Sequence, residues 1–98
     1  MSKESSPEVL LDTVTNRETF LAFVWALVED RQKADAVEAA DPERHRWGGA
    51  NGWQNQTIVS FLEAAAAGSE HPSWPEQGAE APGWKDFALF LLMGKIYE

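Results

Sequence analysis

The chain has 98 residues and a mass of 10.9 kDa, and sixteen acidic residues against eight lysines and arginines give it a net charge of −8. A chain of this length buries about 65% of its unfolded surface, so it forms one domain with one core. Its charge repels phosphate backbones and anionic lipids, which excludes nucleic acid and membranes as expected partners and favours a basic protein surface, unless the acidity serves solubility alone.

The absence of cysteine excludes a disulfide framework and thiolate chemistry. The N-terminal stretch MSKESSPEV lacks the apolar segment of a secretion signal. No apolar run approaches the roughly 18 residues that a membrane span requires. We therefore expect a cytoplasmic protein.

Residues 1–14 are expected to form a mobile arm that contains a short helical turn. Ser6 is a suitable N-cap for this turn, and Pro7 is suited to its first position. The apolar residues that follow would pin the arm to the core.

The stretch TNRETFLAFVWALVEDRQK predicts a first helix over about 16–35. Thr15 and Glu18 have the spacing of a capping box. A broad apolar face follows at helical periodicity, and Trp25 widens it. The residues on the central stripe are Phe20, Phe23, Val24, Leu27 and Val28. Any continuation of this helix towards Pro42 is expected to be solvated.

The glycine-rich stretch WGGANGWQN, residues 47–55, connects the first helix to the second. Asn51 and Gly52 favour a chain reversal, Trp53 is expected to plug the core, and Asn55 is expected to cap the next helix. That second helix is predicted over about 56–67, with Phe61 and Leu62 on its buried stripe and a stop at Gly68.

A loop with three prolines and two glycines, residues 69–83, precedes the last helix, which is predicted over about 84–97. Trp84 and Phe87 begin its apolar face, and Ile96 and Tyr97 are expected to continue it into the C-terminus. The prediction is therefore an all-α fold: a three-helix bundle over residues 15–98 with two long, aromatic-containing loops.

Two segments resemble a small bacterial family labelled DUF7660, a domain of unknown function. The segments are WQNQTIVSFLEA and WKDFALFLLMGKIYE, preceded by a helix of the FLAFVWALVED kind. This sequence departs from the family pattern in the insertion QKADAVEAADPERHRWGGA and in the early Gly68. The resemblance implies no activity, because the family has none established.

The sequence offers no catalytic or metal-binding residue. His45 and His71 lie in irregular segments without the spacing of a ligand pair, and the glycines match no phosphate-binding motif. Glu63 could face Glu29 and Asp30 as a carboxylate pair, but solvated helix faces are the simpler interpretation. We expect neither metal nor cofactor.

Trp47 and Trp74 stand in polar loops, where each either folds back on the core or contacts a partner. They are the candidate partner contacts. The expected function is a non-enzymatic protein-interaction module, of the immunity or adaptor kind, that binds a basic protein as a monomer or weak dimer. The alternative is a small-molecule-binding protein or small enzyme with a pocket beneath the loops that carry Trp47 and Trp74.

Overall fold

The computed structural model describes residues 6–44, 49–72, 74–75 and 82–97. These residues form four α-helices: α1 (Pro7–Leu10), α2 (Arg17–Ala40), α3 (Ile58–Ser69) and α4 (Trp84–Ile96). Two short 3-10 turns, Leu11–Thr13 and Ala50–Gly52, precede α2 and α3. No strand occurs in this part of the chain, so the all-α prediction is confirmed for it.

Helix α2 begins one residue later than the predicted capping box. Asn16, not Thr15, is the N-cap, and its Oδ1 accepts a hydrogen bond from the Thr19 amide at 2.9 Å. Thr19, not Glu18, completes the box by accepting from the Asn16 amide at 3.0 Å. The short asparagine side chain reaches the third helical amide directly, and Glu18 remains in the first turn.

The same helix also continues five residues beyond the predicted end near residue 35, to Ala40. Arg31 bonds Asp35 one turn later at 2.7 Å and also reaches Glu38 at 2.7 Å. Glu38 in turn accepts a hydrogen bond from the Ala50 amide. These contacts hold the last turns of α2 against the following loop. The apolar periodicity alone did not indicate this extension of the helix.

Both ends of α3 differ from prediction. Thr57 is the N-cap and forms a reciprocal capping box with Ser60, while Asn55 points elsewhere. Gly68 does not end the helix, because Ser69 is its last residue. Gly68 is instead buried inside the final turn, against Met93 of α4, where the small residue allows a close approach of the two helices.

Helix α3 packs along α4, and α2 packs on α4 and on the turn Ala50–Gly52. Helices α3 and α4 approach each other closely at Gly94, where an added Cβ atom would stand only 2.6 Å from the Phe61 ring. Helices α2 and α3 make little direct backbone contact with each other. The molecule measures 44 × 28 × 16 Å, and its thin dimension matches two helix layers.

The core contains fewer of the large apolar side chains than the predicted apolar stripes do. Its buried members are Val14, Phe23, Leu27, Ala34, Ala50, Trp53, Ala88 and Leu92. Several side chains assigned to buried stripes are exposed instead: Trp25, Leu62, Trp84, Phe87, Ile96 and Tyr97. The stripes are wider than the faces that two thin layers can cover, so their outer members remain in contact with solvent.

Candidate interaction groove

The second half of WGGANGWQN forms a tight structural turn. Asn51 and Gly52 have φ angles of 57° and 83°, which reverse the chain through the left-handed region that asparagine and glycine tolerate best. The Gly49 amide donates to the Trp53 carbonyl at 2.6 Å and closes the turn. This geometry delivers Trp53 to the interior.

Trp53 is 3% exposed and holds three elements together. Its indole Nε1 donates to Asp30 Oδ2 of α2 at 2.8 Å. Its ring stacks on Phe61 of α3 with centroids 6.2 Å apart, and the Arg31 guanidinium lies 5.0 Å from the ring centroid. The cation contributes a favourable electrostatic contact with the ring face.

Lys95 of α4 is 1% exposed and was not singled out from the sequence. Its Nζ donates to Asp30 Oδ2 at 2.7 Å and to Glu8 Oε2 of α1 at 2.6 Å. A buried ammonium requires such carboxylate partners. The sequence did contain a signal, because Lys95 lies three residues after Leu92 on the predicted buried face of the last helix.

The ion pair between Arg31 and Glu38 supports the polar end of this region. Burial alone would raise the pKa of Glu38, but hydrogen bonds from Arg31, the Ala50 amide and Gln56 outweigh it and lower the pKa. Burial would likewise lower the pKa of Arg31, but hydrogen bonds to Glu38 and Asp35 raise it above its ordinary value. Both groups therefore stay ionised at neutral pH.

Asn55 stabilises the end of α4 rather than the start of α3. Its Nδ2 donates to the Gly94 carbonyl at 3.0 Å and to the Tyr97 carbonyl at 2.8 Å. These bonds satisfy carbonyl groups that a helix terminus otherwise leaves without a partner. Ile96 and Tyr97 are half exposed, so the end of α4 is held by Asn55 and Lys95 rather than by the apolar contacts expected from the sequence.

A groove with a cavity volume of about 510 Å³ opens beside Trp53. Its lining residues come from α2, the loop before α3, α3 itself and α4. They are Val24, Leu27, Val28, Arg31, Gln32, Trp53, Asn55, Gln56, Thr57, Ile58, Phe61, Leu62 and Leu91. Leu27 and Trp53 are buried at the floor. Ile58, which is 79% exposed, and Leu62 form part of the wall. The apolar residues therefore line a surface that solvent reaches.

The two outer edges of the groove follow the same pattern. On α2, Trp25 is 67% exposed and follows the lining residue Val24, and Glu29 is exposed one turn further on. On α3, Val59 is exposed and follows Ile58, and Glu63 is exposed one turn further on. At 100° per residue, each glutamate lies about 40° beyond its apolar neighbour around the helix. Glu29 and Glu63 are not among the lining residues, and each lies about 100° around its helix from the lining residue that precedes it, Val28 or Leu62.

The structure places one of the two candidate partner contacts, Trp74, away from this groove. Trp74 folds back on α4: its Nε1 donates to the Asp86 carbonyl at 2.8 Å, and its ring lies 6.0 Å from that of Phe90. Of the two arrangements that the sequence left open, this is the folded-back one. Trp47 lies outside the described residues.

His45 also lies outside the described residues, and His71 is exposed. The described residues contain no group of three or more histidines and carboxylates that could hold a metal ion. No helix in the described ranges is both long and apolar enough to cross a membrane.

The groove is lined mainly by apolar side chains. Among the residues that the structure places around it, Arg31 is the one titratable side chain, and its raised pKa keeps it protonated. Thr57 is occupied as the N-cap of α3. The lining therefore offers apolar contact area with amide groups at one end.

Comparison with protein-family models, with curated proteins and with solved structures finds no match for this chain.

Proposed function

We propose that this protein is a non-enzymatic interaction module, in which the three longer helices form an incomplete bundle that a segment of another protein completes. The groove between α2 and α3 is the docking surface. The observation that carries the proposal is the exposure of apolar side chains at this groove, above all Ile58 and Leu62. Contiguous exposed apolar surface of this kind commonly marks an interaction site.

Charge supports a basic partner and an adaptor-like or immunity-like role in the cytoplasm. A net charge of −8 attracts a basic surface over the Debye length, about 8 Å at physiological salt, and adds rate and selectivity to the apolar contacts. In this proposal the groove makes the partner contacts that the sequence analysis expected from Trp47 and Trp74. The protein is then a monomer or weak dimer until its partner binds.

Site-specific photo-cross-linking in the cells that produce the protein tests this function. A photoreactive phenylalanine analogue at Leu62 is expected to cross-link to one discrete protein. This cross-linked species should disappear when the same chain also carries the substitution Ile58→Asp. The matched control carries the analogue at Val37, an exposed apolar residue of α2 outside the groove lining. The same cross-linked species from both positions would contradict a docking function for the groove.

A small apolar molecule is the second candidate ligand, and the volume of about 510 Å³ favours it because small-molecule pockets span roughly 300–1,000 Å³. The exposure of Ile58 argues against it, since such pockets normally enclose most of their ligand. Native mass spectrometry of the protein isolated from its cells distinguishes the two. A bound mass of a few hundred daltons that Ile58→Asp removes would favour the small molecule.

A further inference from the structure

The walls of the groove have the spacing of helix packing surfaces. Val24 and Val28 lie one turn apart on α2, and Ile58 and Leu62 lie one turn apart on α3. Rows of side chains four residues apart form ridges, and the ridge of a third helix fits between two such rows. Because α2 and α3 make little direct backbone contact, the space between their ridges is open.

The charge of the groove varies from its centre to its edges. Arg31, at the polar end, is paired with both Asp35 and Glu38, and the other lining residues are uncharged. Outside the lining, α2 and α3 each carry an exposed glutamate, Glu29 directly after Val28 and Glu63 directly after Leu62. A ligand that matches this pattern has an apolar face with cationic side chains along both flanks.

We propose that the occupant is an amphipathic α-helix of a partner protein, with apolar side chains at positions i, i+3, i+4 and i+7 and lysine or arginine on both flanks. This inference rests on the proposed function and specifies the partner for the same groove. Helix-in-groove recognition uses the same spacing of apolar anchors. The flanking cations would face Glu29 and Glu63 and make the binding selective for basic helices.

A second copy of this chain matches the groove less well. Each copy has a net charge of −8, so two copies repel one another. A symmetric pairing of the grooves would also bring Glu29 and Glu63 of one copy towards the same residues of the other. A basic helix instead places opposite charges at both edges.

Synthetic helical peptides of roughly 18 residues, long enough to form several turns in solution, test the inference. The first peptide has leucine at positions i, i+3, i+4 and i+7, continued at the same spacing along the peptide, and lysine on the flanks. The second replaces the flanking lysines by glutamate, and the third scrambles the first. Fluorescence anisotropy of labelled peptides measures the dissociation constants with the full chain at about 0.05 M and 0.5 M salt.

The lysine-flanked peptide should bind at least about tenfold more tightly than the glutamate-flanked one at low salt, and the ratio should shrink at high salt. Ile58→Asp should weaken the lysine-flanked peptide at least about tenfold, whereas Val37→Asp should not. The double variant Glu29→Gln, Glu63→Gln should reduce the preference for lysine while retaining the apolar component. Circular dichroism of each variant establishes that it is folded.

Three results would overturn the inference. Equal binding of the two flanked peptides would remove the basic helix but leave the groove as a docking surface, which the cross-linking experiment tests separately. Equal binding of the scrambled peptide would show charge attraction without helical recognition. A dimer in sedimentation that Ile58→Asp dissociates, together with no peptide binding, would assign the groove to a second copy.

Discussion

Lys95 shows how one residue joins the ends of the chain. Its ammonium contacts Glu8, 87 residues earlier, and Asp30, which also accepts the Trp53 indole hydrogen bond. Helical spacing places Lys95 on the buried face of α4. A lysine nevertheless interrupts the apolar pattern from which a buried face is predicted. The sequence carries no local signal for its two partners, because both lie on other helices.

Replacing Lys95 by methionine should lower the free energy of unfolding by about 3 kcal/mol or more, because the mostly buried Asp30 side chain loses its cationic partner. Lys85→Met is the matched control on the same helix. Lys85 pairs with Asp12, whose side chain is 84% exposed, and such a surface pair contributes at most about 1 kcal/mol. Urea denaturation measures both, and equal losses would refute the special role of Lys95.

The pair of Arg31 and Glu38 makes stability depend on pH. The folded state lowers the pKa of Glu38, so its ionised form stabilises the fold fully above the unfolded value, roughly 4.3, and this contribution is lost as pH falls through the folded pKa. Glu38→Gln should therefore reduce stability at pH 7, and its difference from the natural protein should shrink as the pH falls below the unfolded value. Asp35, whose side chain is 66% exposed, supplies the control Asp35→Asn, which should change little at either pH. A Glu38→Gln effect that is independent of pH would contradict this account.

At the scale of the helices, apolar periodicity indicated the three longer helices but misplaced several of their ends. The misplaced caps have a common cause: neighbouring polar residues compete for the same role. Thr57 and Asn55 are both good N-caps, and the structure decides between them because the carbonyls of Gly94 and Tyr97 lie within reach of Asn55. That choice depends on α4, about 40 residues away.

Hydrogen exchange separates these two roles. Thr57→Ala should cost about 1 kcal/mol and weaken protection of the first amides of α3. Asn55→Ala should cost about 1 to 2 kcal/mol, because it removes two hydrogen bonds, and should weaken protection at the C-terminal end of α4. If Asn55→Ala instead affected the start of α3, Asn55 would act as the N-cap of α3, as the sequence predicts.

At the scale of the whole molecule, the sequence predicted the all-α class but not how much apolar surface is left exposed. Composition shows how many large side chains are present, and periodicity shows which of them share a face. Neither determines how far two helices stand apart. Here α2 and α3 both pack towards α4 while making little contact with each other. Three of the five residues on the central α2 stripe, and both residues named on the α3 stripe, therefore line a groove.

Two of the five tryptophans, Trp53 and Trp25, test this division between core and surface. Trp53→Ala should cost about 3 to 5 kcal/mol, because it removes a 3% exposed ring that stacks on Phe61 and bonds Asp30. Trp25→Ala should change the free energy of unfolding by no more than about 0.5 kcal/mol, because its ring is 67% exposed. Chemical denaturation of the two variants makes the comparison with the same substitution at both sites. A large loss for Trp25→Ala would mean that α2 and α3 close over it in solution, and the open groove would no longer describe the free protein.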